Sequence, residues 1–556
     1  MLLVLLNWII IFFTTFPTGR LVNRLINNES NLVQNIIVGL IVNWILINTL
    51  AFYLPINSRV LIGLYVLNLL LVGVEFSFYK KILISIRKYI FSKQVFVIFL
   101  ASLVLAIYST ASSKINDDGL YYTQTIKWLR EFGFVHGISN LHVSLGLSSS
   151  WHLLQSLYIF SDSIYTNDLN GFVLLIYTIH FVSRILNKSS TIFSLTQYFL
   201  VLLLSVPFLS APNPDFPIIV FTAIALDLFM LNENYKVIIL LACFSITIKI
   251  SSILLFLSGL YCLFKNRNHL WKEPIFIIVI FLVLSLHISK NIYQTAYPFF
   301  PLKVLSIKQF DWKTPEPVVD YFLHGIKSWS YSDQYKPAAV ENEYQKDFIT
   351  EFYSLINRGG TKGLINKFLF VITLLSLFVF AKERSKNRIS LTELTLILIG
   401  AFNLFIWFLF APQYRFILPV FVFFSALIVF YTLRSKTKVN NNMLYYSIIG
   451  VFFLLFFLNV IGINVTIGST SKEIGQIDKL NVERLMFPAK QYYFEEMDSI
   501  LVNNKFYYHP KKNRYCWNSK LPCMSSGYEK VIWNDFQLRI LQRTNNLQDG
   551  FLLVNQ

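Results

Sequence analysis

Two adjacent carboxylates, Asp117 and Asp118, stand where an uncharged apolar run, Val95 to Ala111, gives way to a loop. That loop opens Asn116-Asp117-Asp118-Gly119-Leu120-Tyr121-Tyr122 and continues through Trp128, His136, Asn140, His142 and Trp151. Where a lipid phosphate lies within reach, such a pair supplies a general base, with one carboxyl raised in pKa by its neighbour, or binds a divalent cation such as Mg²⁺ or Mn²⁺. The same residues also suit an ordinary helix-ending turn. An aspartate at a bilayer boundary is far less costly than the roughly 2.5–3.5 kcal/mol it carries at the bilayer centre, so the pair needs no function in order to exist.

Further groups suit a sugar bound through a phosphate. Gly137-Ile138-Ser139-Asn140-Leu141-His142 and Leu147-Ser148-Ser149-Ser150-Trp151-His152 mix hydrogen-bonding side chains with aromatic platforms. That mixture fits sugar hydroxyls and C–H faces, and it fits interfacial packing equally; the three loop histidines suit packing better than metal ligation. Tyr122, Ile126 and Leu129 fall on one helical face beside Trp128, as in a helix lying along a membrane surface. Pro212-Asn213-Pro214-Asp215-Phe216-Pro217 offers another carboxylate, Asp215, and Ala411-Pro412-Gln413-Tyr414-Arg415-Phe416 offers an arginine. Arg415 and Lys249 have the chemistry to grip a phosphate or pyrophosphate, although Arg415 also reads as a boundary residue reaching for head groups. No phosphate-cradling glycine loop, nucleophile elbow or zincin signature is present.

The elements that must position these residues are apolar helices. Of 556 residues, 55% are hydrophobic and 14% charged, and the mean hydropathy is +0.55. A soluble core cannot hide so much apolar surface, and in hydrocarbon only helices satisfy their backbone within one segment. The expected fold is therefore all-α, a polytopic transmembrane bundle of about 12–14 spans. Apolar segments fall at roughly 2–16, 32–54, 59–77, 95–112, 171–186, 192–211, 217–231, 237–264, 274–289, 368–381, 389–411, 417–433 and 443–463. The first reads as a retained span rather than a signal peptide.

Basic clusters in the short loops set sidedness: Lys80, Lys81, Arg87, Lys88 and Lys93; Lys265, Arg267 and Lys272; Lys382, Arg384, Lys386 and Arg388; Arg434, Lys436 and Lys438. They place the long polar stretches 113–170, 290–367 and 464–556 together on the outer side. The net charge of +18 then speaks for lipid head groups rather than nucleic acid as partner. Segment 237–264 is too long for one upright span and carries Lys249 at its middle; two short limbs meeting at Lys249 fit better than one tilted helix, and imply a cavity there. The expected organisation is 1–94 as extra N-terminal helices, 95–463 as a core bearing the first two outer stretches, and 464–556 as a small extramembrane segment. On the outer side Cys516 and Cys523 are free to form a disulfide, which over so short a loop adds roughly 2–3 kcal/mol; a zinc site lacks a second ligand pair.

An acidic motif after an early span, a loop with interfacial helices, many further spans and an outer C-terminal segment together resemble the GT-C class of integral-membrane glycosyltransferases. More closely, Asp117-Asp118-Gly119-Leu120-Tyr121-Tyr122, Gly137 to His142, Asn213-Pro214-Asp215, Ala411 to Phe416 and Cys516 to Cys523 look like the motif series of a family of bacterial multi-spanning membrane proteins of unassigned activity. That family's pattern has Asp, a variable residue and Gly-Leu-Tyr-His, so Tyr122 stands where the pattern has histidine.

The resemblance implies an inverting transferase in the bacterial inner (cytoplasmic) membrane with its site on the extracytoplasmic side. The sugar would pass from a polyprenyl-phosphate donor to a glycan, lipid or protein acceptor of the envelope. Asp117 would serve as base or metal ligand, Asp118 or Asp215 as second carboxylate, and Arg415 and Lys249 would hold the donor phosphate. Tyr122, Asn140, His142 and Trp151 would contact substrate. Two other functions fit the same sequence: a polysaccharide polymerase joining lipid-linked repeats, and a flippase or transporter of lipid-linked substrates, for which the break at Lys249 speaks.

Overall fold

The computed structural model describes residues 1–81, 92–113, 115–159, 167–331, 348–386, 389–433, 441–461, 480–488, 496–502, 505–511, 515–525 and 528–555. Arg87, Lys88, Arg388, Arg434, Lys436 and Lys438, used above for sidedness, lie outside these residues.

Helices dominate, and each long apolar run but 237–264 becomes one. They are α1 (Leu2–Leu25), α2 (Leu32–Ala51), α3 (Ser58–Val74) and α4 (Lys93–Ser109), then two short outer helices, α5 (Thr123–Glu131) and α6 (Ser150–Leu157). Next come α7 (Leu169–Leu186), α8 (Ile192–Ser205), α9 (Asp215–Met230), α10 (Tyr235–Ile248), α11 (Ile253–Lys265), α12 (Pro274–Thr295), α13 (Glu316–Tyr331) and α14 (Phe348–Ile356). The last long ones are α15 (Gly360–Ser385), α16 (Leu391–Phe410), α17 (Tyr414–Leu433) and α18 (Asn441–Ile461). Among the described residues, eight helices are long and apolar enough to cross a membrane, as in a multi-pass membrane protein. Two of them begin with capping boxes, Asn31 with Gln34 and Ser390 with Glu393.

One boundary departs from the sequence reading, and one break follows it. Helix α1 runs through Pro17 to Leu25 instead of stopping at 16. It does so pressed against α2: a Cβ on Gly39 would lie 1.9 Å from the Thr15 carbonyl oxygen, so the two backbones touch. Segment 237–264 divides into α10 and α11, with Lys249 extended at φ −159°, ψ 134°. The two limbs pack closely, since a Cβ on Gly259 would meet the Ala242 Cβ at 2.2 Å. The hairpin is thus the form the chain takes.

The chain is not helical throughout. The C-terminal segment holds two antiparallel hairpins, β1 (Met497–Val502) with β2 (Lys505–Pro510), and β3 (Leu538–Gln542) with β4 (Phe551–Asn555), flanking α19 (Tyr528–Asn534). Ile500 faces Tyr507 in the first and Ile540 faces Leu553 in the second. This segment does not stand apart: Trp128, Val135 and Leu141 of the first long polar stretch, Tyr297 and Val318 of the second, and Phe551 of β4 bury one another in a single core. Nor are the N-terminal helices an appendage. Asn7 Nδ2 donates to Asp168 Oδ2 at 2.9 Å, and Trp8 Nε1 to the Asp168 carbonyl at 3.0 Å. Away from these cores the helix surfaces stay apolar; Phe281, Phe378, Leu398 and Phe457 are each at least 60% exposed.

Candidate functional site

Residues Asp118–Tyr122 form a single π-helical turn between α4 and α5. Such a turn shifts the register of side chains and recurs at functional sites. Here it separates the acidic neighbours. Asp117 faces a cavity of about 1620 Å³, whereas Asp118 is fully buried behind it, with Thr123 Oγ1 donating to its Oδ1 at 2.8 Å. The two carboxylates thus have different partners, Arg415 for Asp117 and Thr123 for Asp118. Among the described residues no three His, Cys, Asp or Glu side chains gather at metal-binding spacing.

Asp117 meets Arg415 instead. Arg415 Nη1 donates to Asp117 Oδ2 at 2.5 Å, and Tyr122 OH to the same oxygen at 3.4 Å. Arg415 is aimed by its own loop: its Nε donates to Gln413 Oε1 at 3.1 Å, and Gln413 Nε2 is anchored on the Ile326 carbonyl at 2.8 Å. The same Nε lies 3.8 Å from Asp215 Oδ2. Lys249, at the break between α10 and α11, is ion-paired with Asp215 Oδ1 and lies 4.2 Å from the Phe416 ring centroid. Four charges from four separate stretches thus form one chain, Asp117 to Arg415 to Asp215 to Lys249. Burial alone would push the Asp117 carboxyl up, but the charge and hydrogen bond of Arg415, with Lys249 behind, hold it below the usual carboxylate range. Asp118 takes the opposite course: burial raises it to about 6 against the Ser113 and Thr123 hydroxyls.

Asp215 is placed by its own turn. Asn213 Oδ1 accepts the Asp215 N–H at 2.7 Å and so starts α9. The turn in its turn is pinned by Asn170, whose Nδ2 donates to the carbonyls of Phe208 at 2.9 Å and Ala211 at 2.8 Å. Asn170 Oδ1 accepts Trp151 Nε1 at 2.7 Å. Trp151 is therefore a buried brace for this loop and is not among the residues that line the cavity. Asn140 Nδ2 donates to the carbonyls of Trp312 at 2.9 Å and Phe551 at 3.0 Å, tying the first long polar stretch to the second and to β4. Tyr122 lies behind Asp117 rather than on the cavity surface.

His142 does reach the cavity, but its ring is spoken for. Ser144 N–H donates to Nδ1 at 3.3 Å, Nε2 pairs with Ser525 Oγ at 3.0 Å, and burial lowers its pKa to about 4. Tyr121 and His152 line the cavity beside Asp117. Tyr121 carries no signal in the sequence beyond the aromatic richness of its loop, whereas His152 ends the Leu147–His152 stretch that suits a sugar and interfacial packing equally. Asn213 was within reach of sequence reasoning, because Asn two residues before an acidic helix start is a capping pattern.

The cavity has a polar end and an apolar end. Phe256 of α11, Leu284 and Ile288 of α12, and Ile406, Leu409 and Phe410 of α16 form walls at the depth of the long helices. Over the polar end sits the C-terminal segment. Cys516 and Cys523 form the expected disulfide, and the loop they close clasps the acidic motif. Trp517 N–H donates to the Gly119 carbonyl at 2.9 Å, and Gln124 Nε2 donates to the Trp517 carbonyl at 2.7 Å. A Cβ at Gly119 would meet the Trp517 indole at 2.5 Å, which is why only glycine fits there.

No curated protein and no solved structure matches this chain. Residues 1–423 match the model of a family described as a domain of unknown function, DUF8201. That stretch takes in the acidic turn, the Asn213 loop, Lys249 and Arg415, and the chain belongs to the DUF8201 family.

Proposed function

We propose that the protein is a membrane glycosyltransferase that moves a sugar from a polyprenyl-phosphate donor to a glycan, lipid or protein acceptor of the cell envelope on the outer face of a bacterial inner membrane. The observation that carries this reading is the joining of a carboxylate–cation chain to a cavity whose far walls are apolar. The charged end suits a phosphate-linked sugar, and the walls of α11, α12 and α16 suit an isoprenoid tail. The bare phenylalanines and leucines of the helix surfaces support insertion in lipid, where they need no other cover.

In the proposed reaction Asp117 accepts the proton of an acceptor hydroxyl, whose oxygen forms a bond to the anomeric carbon. The bond from that carbon to the phosphate oxygen breaks, and its electron pair leaves with the polyprenyl phosphate, held by Arg415 and Lys249. Attack opposite the leaving group inverts the anomeric centre. Asp215 keeps Lys249 and Arg415 in place without touching substrate.

Purified protein in lipid, given radiolabelled polyprenyl-phosphate sugars and a crude envelope acceptor, tests this beside Asp117→Asn. Transfer by the wild type and its loss in the folded variant support the proposal; equal transfer by both sinks it. The broken hairpin of α10 and α11 favours a second reading, a flippase for lipid-linked substrates. Movement of a labelled lipid across vesicles without any new glycosidic bond would select that reading.

A further inference from the structure

Asn213 holds an unspent donor at the cavity wall. Its Oδ1 is committed to the Asp215 N–H at 2.7 Å, and its carbonyl accepts Asn170 Nδ2 at 3.3 Å. Its Nδ2 has no partner among the described residues, although the side chain is only 1% exposed. Buried amide groups are normally satisfied, so a donor left over on a cavity-lining residue points to a ligand oxygen. The amide orientation is not free, because only Oδ1 can accept the helix N–H.

The surroundings define that oxygen. Asn213 stands at the first turn of α9, where the helix dipole favours an anion. Lys249 reaches the same turn through Asp215, and Arg415 Nε approaches Asp215 to 3.8 Å. One amide donor, an ammonium and a guanidinium therefore share one end of the cavity. The acceptors beside them, the Asp117 and Asp215 carboxylates, are already matched one to one with those cations.

We infer that Asn213 Nδ2, Lys249 and Arg415 form a phosphate pocket at the start of α9, and that the phosphate entering it draws Arg415 from Asp117, releasing that carboxylate for the acceptor. This rests on the reading of the site as one for a phosphate-linked donor. Along this chain two positive and two negative charges balance, and Asp117 is a poor base because Arg415 occupies it. A phosphodiester adds one negative charge and takes over the guanidinium, so Asp117 gains proton affinity only when donor is present. The donor must then bind before acceptor deprotonation, which guards the base against idle proton exchange with water.

Equilibrium binding to the purified full-length protein tests the pocket without requiring turnover. The probes are farnesyl phosphate, farnesol and inorganic phosphate. Asn213→Asp keeps an oxygen to cap α9 but replaces the donor with negative charge; Asn213→Ser, a capping residue too short to reach, is the second variant should the first not fold. Farnesyl phosphate is expected to bind either variant roughly 10-fold or more weakly than wild type, with farnesol unchanged. Asp117→Asn, which frees Arg415, is expected to bind farnesyl phosphate several-fold more tightly than wild type. Wild-type affinity in Asn213→Asp overturns the pocket and leaves the donor reading standing. A wild type that does not prefer farnesyl phosphate to farnesol overturns both. Inorganic phosphate that competes as well as farnesyl phosphate sustains the pocket with free phosphate as its ligand; competition that requires the farnesyl chain sustains it with a lipid headgroup.

Discussion

Replacing Lys249 with methionine keeps its aliphatic stem but strips the ion pair from Asp215, whose side chain is 1% exposed. Removing one partner of a buried pair typically destabilises by about 3–5 kcal/mol. Arg415 remains 3.8 Å from Asp215 Oδ2, a separation worth about 4 kcal/mol of attraction at an effective dielectric of 20 before desolvation. Arg415 is shared with Asp117, so it covers only part of the loss, and Lys249→Met is expected to destabilise by about 2–4 kcal/mol. Asp215→Asn alone leaves Lys249 able to hydrate through the cavity and is expected to destabilise less, by about 1–2 kcal/mol. The double variant carries neither orphaned charge, so its stability should sit near that of the milder single variant. The coupling is then about 3 kcal/mol, roughly 150-fold in the unfolding constant. The assay is reversible unfolding in mixed micelles as the denaturing detergent is raised, for all four proteins. Additive single effects, with no coupling, would refute the chain of charges that links α9 to the break at Lys249.

Three further outcomes are expected. Asp118 is raised from 3.8 to about 6 by burial, so the folded protein holds this proton more tightly than the unfolded chain; the associated stability is complete below about pH 4 and is lost as pH rises through 6. That fall amounts to about 3 kcal/mol, and Asp118→Asn, measured by thermal midpoint, should gain on wild type steadily from pH 4 to pH 7. Gly119→Ala drives a methyl group into the Trp517 indole and should destabilise by about 1–3 kcal/mol. Like Cys516→Ser, it should speed limited proteolysis of the C-terminal segment; an unchanged cleavage rate in both would contradict the clasp. Asn140→Ala leaves the Trp312 and Phe551 carbonyls unpaired and should destabilise by about 2–4 kcal/mol while farnesyl phosphate affinity stays at the wild-type value. A selective loss of that affinity would return Asn140 to the site.

Some of this was legible in the sequence because the physics involved is local. Apolar length alone located the helices, and a lysine at the middle of an overlong run located the hairpin. The two cysteines on a short loop announced their bond. The end of the first helix was missed: α1 continues through Pro17 to Leu25, packed closely against α2. The parting of Asp117 from Asp118 was illegible: it depends on a π-helical turn and on Arg415, 298 residues distant. Asn140 and Trp151 show a second limit. The groups that bind a sugar are the groups that brace a loop, and only the identity of the partner, a backbone carbonyl or Asn170, distinguishes the two.

The clasp of the Cys516–Cys523 loop on the acidic turn also has a consequence in time. Gln124 and the Trp517 carbonyl that it holds are 393 residues apart. At a synthesis rate of about 5–20 residues per second, the acidic turn exists for roughly 20–80 s before its cover emerges. Through that interval the charged end of the cavity has walls but no roof. Completion then awaits both arrival of the segment and oxidation of its thiols, a step set by the redox state of the compartment that receives it. Maturation of the site is thereby deferred to the last stage of biogenesis, after the helices have been placed.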